Sequence, residues 1–422
     1  MKTLLAVAAL LVFFSPVLAN NSHELRSPDN RIVVTVHVEG EISYDVQVNG
    51  KLVIKDSTLS LDVDHKKLGH DAKLDTVKND TVDRVIELPV KLKFAKIREQ
   101  YNELRLSFTQ FTVTFRAYNE GVAYRFETSL PQTEVKVYGE QAVFKFADNY
   151  NVYYPKEDSF FSHNERIFLP VALDKIPDDS IASLPAVVVA PEHVKLVIAE
   201  SDVDDYPGLW LHGKSNNSLI AAFPPVALKE TVPDQKNDRD IRVTEAADYI
   251  AATKGTRTFP WRIIGVAASD ADLLTNQMVY LLARPSEVSD TSWIKPGKVP
   301  WDWYNALNIY GVDFKSGINT QTYKYYIDFA SKYGLEYIII DEGWYKLGNL
   351  LDVVPAMNIE ETVAYGKQKN VGVILWMVWK TLDDQLMPAM DQFEKWGVKG
   401  LKVDFMQRDD QKVINFYHRL CR

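Results

Sequence analysis

The chain contains two regions that differ in the period of their hydrophobic residues. From about residue 24 to residue 270, apolar and polar residues alternate, as they do from Ile42 to Val48 and from Phe111 to Tyr118. Turn-forming residues such as Asn49 and Gly50 separate these runs. Because short alternating runs between regular turns are typical of antiparallel strands packed in two layers, the sequence predicts a large antiparallel β-sandwich over residues 20–270.

The later region, residues 299–422, has strands that alternate with amphipathic helices. Between the two regions, residues 271–298 predict a helix at 271–283 and then a linker that contains Pro296 and Gly297. The predicted strands are Val299–Ala306 (with its loop), Leu335–Asp341, Val371–Trp376 and Leu401–Phe405, and the predicted helices are Thr320–Tyr333, Ile359–Lys369, Leu386–Trp396 and Asp410–Leu420. Nearly continuous apolar strands between amphipathic helices predict parallel βαβ units.

The size of the later region limits its fold. It has room for four βα units, whereas a (β/α)8 barrel typically takes about 250 residues. We therefore expect residues 299–422 to be the first four βα units of a (β/α)8 TIM barrel, with the remainder missing from this chain. A complete, small open α/β sheet is the alternative.

The N-terminus and the composition indicate an exported protein. Lys2, the apolar residues 4–14 and the small-residue site at 17–19 predict a signal peptide over residues 1–19. No other apolar run is as long, so no membrane contact is expected after cleavage. Cys421 is the only cysteine and excludes an internal disulfide, which favours a secreted or periplasmic bacterial protein. The net charge of −9 argues against a nucleic-acid partner.

Polar and aromatic residues gather at the predicted strand ends, where a parallel barrel places its active site. Alternation puts Lys402 and Asp404 on one face at the end of the fourth strand, a pairing that suits an ionised nucleophile. Aromatic faces and carboxylates suit a pyranose ring, and one carboxylate can attack an anomeric carbon. The candidate sugar-binding residues are Trp303, Asp341, Glu342, Trp376 and Lys402. A loop cap at Asp341 and Glu342, a core role for Trp376 and a structural Lys402–Asp404 ion pair are the alternatives.

An acidic cluster lies in the sandwich region between Glu200 and Gly208. Its oxygen ligands suit calcium, but its spacing does not match an EF-hand loop. On spacing alone, a solvated acidic turn is favoured.

Together these residues resemble glycoside hydrolase family 97. The resemblance rests on residues 27–30, 117–125 and 200–208 of the sandwich region, and on 295–298, 301–303, 341–344 and 400–411 of the later region. It implies an N-terminal β-supersandwich, a (β/α)8 barrel and exo-acting hydrolysis of α-glucosides or α-galactosides. Asp404 occupies the position of the nucleophile of the retaining branch. The family's general acid/base glutamate and most of its calcium ligands would be absent from this chain, and Glu200 is the best match for a calcium ligand.

The expected function is a retaining α-galactosidase that hydrolyses terminal α-galactosides of oligosaccharides through a covalent glycosyl-enzyme on Asp404. In this mechanism Lys402 binds sugar hydroxyls and keeps Asp404 ionised. Without its acid/base, the 422-residue chain itself is expected to be inactive. An α-glucosidase of the same family is one alternative, and a non-catalytic carbohydrate-binding protein is the alternative from another class.

Overall fold

Two regions with different kinds of sheet make up the computed structural model. It describes residues 21–422 apart from 89, 90, 92 and 235, so the predicted signal peptide lies outside the described residues. The first region is antiparallel throughout, and the second contains a parallel sheet with helices. Among the described residues, no helix has both the length and the apolar character needed to cross a membrane.

The first region contains the strands β1 (Ser22–Arg26), β2 (Ile32–Glu39), β3 (Glu41–Val48), β4 (Lys51–Val63), β5 (Lys66–Leu68), β6 (Leu74–Glu87), β7 (Lys96–Phe108), β8 (Phe111–Tyr118), β9 (Gly121–Lys145), β10 (Asn151–Tyr154), β11 (Lys156–Glu157), β12 (Leu169–Ala172), β13 (Ile181–Ala182), β14 (Ala186–Val189), β15 (Lys195–Ser201), β16 (Trp210–Lys214), β17 (Ser218–Ala222), β18 (Ala227–Thr231), β19 (Arg242–Ala246), β20 (Ala251–Thr258) and β21 (Trp261–Ala267). Short 3₁₀ turns lie at Leu173–Lys175 and Pro191–His193.

The long strand β9 organises this sandwich. It has 25 residues and pairs with β4, β8, β17, β20 and β21. Strands β1 to β4 form an antiparallel series. The buried ring of Tyr44 in β3 lies 5.8 Å from Phe115 in β8 and 5.5 Å from Tyr124 in β9. These rings belong to the main hydrophobic core, so the alternating pattern does place one face of each strand in a shared interior.

A buried arginine joins strands of the sandwich near its contact with the second region. Arg262 in β21 donates from Nε and Nη2 to the two carboxylate oxygens of Glu140, at 2.6 Å each. Its Nη1 donates to Glu200 Oε2 at 2.6 Å. Burial disfavours the charged form, but the two carboxylates outweigh that effect and raise the pKa of Arg262.

The prediction of one continuous helix at 271–283 is wrong. The structure has α1 (Asp270–Thr275) and α2 (Met278–Leu281), with a break at Asn276 and Gln277. At the break, Asn276 Nδ2 donates to the Glu120 carbonyl at 3.0 Å and Gln277 N donates to the Glu120 carboxylate at 2.9 Å. The Gln277 N–H thus bonds the sandwich and not the carbonyl that a continued helix would offer it.

The second region contains the helices α3 (Thr320–Tyr333), α4 (Ile359–Gln368), α5 (Trp379–Asp384), α6 (Leu386–Trp396) and α7 (Gln411–Cys421), and the strands β22 (Tyr337–Ile340), β23 (Tyr345–Lys346), β24 (Asn349–Val353), β25 (Gly372–Val378) and β26 (Gly400–Asp404). A 3₁₀ turn spans Asp302–Asn305.

The parallel order of the second region follows the order of the chain. Strand β25 lies between β22 and β26, and a single parallel bridge joins Trp301 to Ile339 of β22. The predicted first strand is therefore reduced to Trp301. The bounds of α3 are as predicted, and Gly334 ends that helix with φ +68°, a conformation that favours glycine. Assignment to one half of a (β/α)8 barrel stays a prediction.

The segment that follows β26 joins the two regions. We call residues Gln407–Gln411 the junction segment. Its backbone accepts hydrogen bonds from Ser162 N at Gln407 and from Gly208 N at Asp409, both at 2.9 Å. A Cβ on Gly208 would come within 2.5 Å of the Asp409 carboxylate, so only glycine fits there.

Replacement of Arg262 by methionine is expected to destabilise the protein by about 3–5 kcal/mol, because it leaves the buried Glu140 and the partly buried Glu200 without their counter-ion. Urea unfolding followed by tryptophan fluorescence measures this change. The control is Arg98→Met, which breaks the exposed pair with Asp83 and should cost far less, because water screens that pair. Equal losses for the two variants would contradict a structural role for the Arg262 cluster.

Candidate active site

The polar residues at the strand ends lie on one rim of the parallel sheet. The register pairs Ile340 with Leu375 and Val378 with Asp404, so the carboxyl ends of β22, β25 and β26 lie at the same edge. Asp341 follows β22 directly, and Asp404 is the last residue of β26. The structure therefore brings together side chains that are far apart in the sequence, as the strand-end pattern predicts.

Lys402 lies between two carboxylates at this rim. Its Nζ is 2.9 Å from Asp341 Oδ2 and 3.4 Å from Asp404 Oδ2. The same ammonium lies 4.2 Å from the ring centroid of Trp301. One cation therefore compensates two carboxylates, and the aromatic face gives it a further favourable contact.

Asp404 is held as an ionised, accessible carboxylate. Burial opposes ionisation, but the indole N–H of Trp376, the backbone N–H of Phe405 and the charge of Lys402 outweigh it, and the pKa of Asp404 lies below its ordinary value. Trp376 Nε1 donates to Oδ2 at 2.8 Å, and Phe405 N donates to Oδ1 at 2.8 Å. The side chain remains 38% exposed, so a ligand can reach it.

The backbone directly after Asp404 has an unusual conformation. Phe405 has φ +62°, which is uncommon for a residue with a large side chain. This turn brings the Phe405 N–H back onto the Asp404 carboxylate and leaves the Phe405 ring 6.1 Å from the ring of Trp376. The conformation therefore fixes both the carboxylate and an aromatic ring next to it.

Asp341 is the second carboxylate of the rim, and its partners are all donors. Trp301 Nε1 donates to Oδ2 at 2.6 Å, and Glu342 N donates to Oδ1 at 2.8 Å. Behind it lies Asp302, which sequence reasoning did not select. Asp302 is buried and accepts a 2.5 Å hydrogen bond from the hydroxyl of Tyr323, and burial raises its pKa.

The other predicted residues occupy different places. Trp376 is buried and lies in the site, where it donates to Asp404. Trp303 is 62% exposed and stacks on the ring of Trp301 at 5.1 Å, outside the group around Lys402. Glu342 pairs with Arg239 of the sandwich. The sugar-binding roles of these residues stay predictions.

Glu200 does not lie in a metal site within the described part of the chain. Its carboxylate accepts hydrogen bonds from Arg262 and from Leu209 N, and burial raises its pKa. No group of three or more acidic, histidine or cysteine side chains among the described residues could hold a metal ion. An arginine partner does not suit a calcium ligand, so the residues present here do not fit the predicted ion.

The acidic cluster around Glu200 is not a solvated turn. Asp202 is nearly buried and pairs with Arg284 Nε at 2.6 Å, and Arg284 Nη1 also pairs with Asp204. The backbone carbonyl of Asp205 accepts from Arg257 at 2.9 Å. The prediction of solvated carboxylates was wrong because their arginine partners come from residues more than 50 positions away.

Comparison with known protein families assigns the chain to one of them. The profile described as Glycosyl-hydrolase 97 N-terminal matches residues 25–285, and the profile described as Glycoside hydrolase 97 matches residues 301–422. The chain belongs to glycoside hydrolase family 97.

Two curated proteins of this kind are similar to the chain. A protein named retaining alpha-galactosidase from Bacteroides thetaiotaomicron is 37% identical over 414 residues, which are 95% of this chain and 62% of that protein. A probable retaining alpha-galactosidase from Streptomyces bingchenggensis is 25% identical over 402 residues, which are 90% of this chain and 56% of that protein. The chain thus spans about three fifths of the length of these relatives.

A solved structure shows the same fold. A glycoside hydrolase family 97 enzyme from Pseudoalteromonas sp. strain K8, in complex with acarbose, superposes with a TM-score of 0.81 at 20% identity. The match covers 94% of this chain and 64% of that enzyme. The arrangement of sandwich and βα units described above is therefore the family 97 fold over nearly the whole chain.

Sequence reasoning missed the residues that the sandwich brings to the rim of this family 97 chain. Asp238, Arg239 and Asp240 lie between β18 and β19 and contact the segments that follow β25, β22 and β26, respectively. His163 lies 5.8 Å from the ring of Phe405 and bonds the side-chain amide of Gln407. No local pattern marks these residues, because each contact joins residues more than 100 positions apart.

Asp409 in the junction segment is a buried carboxyl group, and none of the described residues forms an ion pair with it. Burial raises its pKa to about 7, although the indole N–H of Trp210 donates to both of its oxygens at 2.9 and 2.8 Å. The nearby carboxylates of Glu200 and Asp410 also favour the protonated form. The family 97 chain thus carries a group that titrates near neutral pH where its two regions meet.

The contribution of Asp409 to the free energy of unfolding is expected to fall as pH rises from about 4 to 7. In this window the folded protein still binds the Asp409 proton, whereas the unfolded chain has lost it. The free energy of unfolding therefore loses on the order of 2–4 kcal/mol by pH 7. Asp409→Asn should remove this decline relative to the wild type in urea unfolding at several pH values. The exposed Asp391→Asn is the control and should leave the slope unchanged. An unaltered slope in Asp409→Asn would show that Asp409 is already ionised below pH 7.

Proposed function

We propose that the complete protein carrying this chain is an exo-acting retaining α-galactosidase, and that Asp404 is its nucleophile. The carrying observation is the state of Asp404: it is accessible, its pKa is lowered, and it lies at a parallel strand end beside Lys402. The 37% identity to a protein named retaining alpha-galactosidase supports the substrate class. The proposed substrates are oligosaccharides with a terminal α-galactosyl unit, met outside the cytoplasm after export through the signal peptide at residues 1–19.

We also propose that residues 299–422 form the first half of a (β/α)8 barrel. The parallel order of Trp301, β22, β25 and β26 supports this proposal, because it matches the order in which the chain enters them. In such a barrel the carboxyl ends of the strands carry the active site. The open α/β sheet remains the alternative.

The proposed reaction has two displacements at the anomeric carbon. A carboxylate oxygen of Asp404 forms a bond to C1 while the bond from C1 to the leaving oxygen breaks, and that oxygen keeps the electron pair and gains a proton. Water then attacks C1, gives a proton to the group that protonated the leaving oxygen, and releases Asp404, so the product keeps the configuration of the substrate. Lys402 and the Trp376 N–H stabilise the ionised nucleophile before the first step.

The proton donor to the leaving oxygen must be a second carboxyl group. We assign this role neither to Asp341 nor to Asp302. Asp341 accepts hydrogen bonds from Trp301, Lys402 and the Glu342 backbone, and it is placed to orient sugar hydroxyls rather than to give a proton. Asp302 lies behind Asp341 and accepts a hydrogen bond from the hydroxyl of Tyr323.

Replacement of Asp404 by glycine in the complete protein should lower kcat on an aryl α-galactoside by at least about 10³-fold, because the nucleophile is gone. Sodium azide should restore part of the turnover and give the β-galactosyl azide, since azide attacks C1 in place of the missing carboxylate. Product analysis by NMR identifies the anomer. An aryl α-glucoside serves as the control substrate, and faster turnover of it by the wild type would favour an α-glucosidase. Full activity of the glycine variant would refute Asp404 as nucleophile.

Replacement of Lys402 by methionine should shift the acidic limb of the kcat/KM profile to higher pH. The charge of Lys402 helps to lower the pKa of Asp404, and the reaction needs Asp404 ionised. Activity should also fall, because Asp341 loses a partner. The control Lys399→Met removes an exposed lysine just before β26 and should leave the profile in place. An unshifted acidic limb in Lys402→Met would separate Lys402 from the ionisation of Asp404.

A further inference from the structure

A segment of the sandwich reaches the rim of the candidate active site. The connection from β18 to β19 runs over the second region, and we call its last residues, 236–241, the rim segment. Ile241 is 2% exposed and belongs to the hydrophobic core of the second region, not to that of the sandwich. The rim segment is therefore anchored in the second region, although its flanking strands pair with each other.

Two aspartates fix the rim segment on either side of Arg239. Asp238 Oδ2 accepts from Thr381 Oγ1 at 2.7 Å, just beyond the end of β25. Asp240 Oδ1 accepts from Gln407 Nε2 at 2.9 Å, just beyond the end of β26. Because the residues before and after it are held in this way, the position of the Arg239 backbone is set by the second region.

The side chain of Arg239 lies across the rim. Its Nη2 pairs with the carboxylate of Glu342, the residue after Asp341. Its guanidinium carbon lies 5.0 Å from the ring centroid of Phe405, the residue after Asp404. A single side chain from the sandwich thus contacts the two residues that directly follow the carboxylates held by Lys402.

The Arg239–Glu342 pair contributes little to folding. The two side chains are 34% and 44% exposed, and ion pairs of this kind contribute about 0–1 kcal/mol. A guanidinium has five N–H donors in a fixed plane, and Glu342 engages Nη2 alone. Among the described residues, the other nitrogen atoms of this guanidinium have no hydrogen-bond acceptor and can donate to hydroxyl groups of a sugar.

We propose that Arg239 is a substrate contact that the sandwich supplies to the active site. It donates hydrogen bonds to a ring-substituent hydroxyl of the galactosyl unit placed over Asp404, and so contributes to the choice of sugar. This inference rests on the proposed function, because it takes a galactosyl unit as the bound group. It adds to that function a specificity-determining residue from outside the βα units.

The test compares Arg239→Ala with the wild type on an aryl α-galactoside and on versions trimmed at single positions. These are the 3-deoxy and 4-deoxy galactosides and the aryl β-L-arabinopyranoside, which has the galactoside configuration but lacks the C6 hydroxymethyl group. Arg239→Ala should lower kcat/KM on the parent by about 10- to 100-fold, the size expected for a hydrogen bond from a charged donor. On the one trimmed substrate that lacks the contacted hydroxyl, that loss should shrink to about threefold or less.

Two further variants serve as controls, one for the charge of Arg239 and one for the loss of an arginine from this hairpin. Arg239→Lys keeps the charge but not the planar donors, and it should give an intermediate loss. Arg242→Ala removes another arginine of the same hairpin, which stacks on Phe161 at 3.5 Å, and should keep activity within about twofold. Equal losses of Arg239→Ala on all four substrates, or no loss on any, would overturn the inference.

Failure of the proposed function gives a different result. If the wild type hydrolyses α-galactosides and Arg239→Ala is unaffected, only the inference about Arg239 falls. If the wild type hydrolyses none of them, the proposed function falls, and saturation-transfer NMR with methyl α-galactoside decides the role of Arg239. Weaker binding by Arg239→Ala than by the wild type supports the contact, whereas equal binding or no binding by either protein rejects it.

Discussion

The geometry of the candidate active site depends on how the sandwich holds the junction segment. Strand β26 ends at Asp404, and only two residues separate it from Gln407, whose carbonyl accepts from Ser162 N at 2.9 Å. Gly208 then holds the carbonyl of Asp409, and Gln411 Nε2 donates to the carbonyl of Ala252. Because these bonds follow the strand end so closely, the sandwich constrains the turn that sets the Asp404 carboxylate. The sandwich is in this sense part of the site and not a separate appendage.

Several carboxylates among the described residues are paired with cations, whereas Asp302 and Asp409 are held by neutral donors. Lys402 compensates Asp341 and Asp404, and Arg262 compensates the buried Glu140 and the partly buried Glu200. Of these acids, Asp404 has a pKa below its ordinary value, because its hydrogen bonds and the charge of Lys402 outweigh burial. Asp409 accepts from an indole N–H but forms no ion pair with the described residues, and its pKa rises to about 7. A charge at the meeting of the two regions thus depends on pH, whereas the charge of the proposed nucleophile does not over the same range.

The sequence predicted what depends on local pattern and missed what depends on distant contacts. The period-two region and the helices α3 and α6 were placed well, because alternation, helical spacing and a glycine after the last turn carry that information. The strand-end rule also brought Lys402 and Asp404 together. The sequence could not show that Arg262 forms an ion pair with Glu200. It also could not show that a hydrogen bond to Glu120 interrupts the helix predicted at 271–283. Both contacts join residues that are far apart in the chain, and a single sequence does not indicate which distant residues pair.

The two regions divide the proposed reaction between them. The groups that shift the pKa of Asp404, namely Trp376, Phe405 and Lys402, all belong to the βα units. Arg239 belongs to the sandwich and meets the same strand ends through Glu342 and the Phe405 ring, without a hydrogen bond to Asp404. Changes in the rim segment can therefore alter which hydroxyl pattern is accepted while the ionisation of the nucleophile stays the same. Such a division lets specificity vary by substitution in a hairpin connection, while the strands that hold the chemistry stay unchanged.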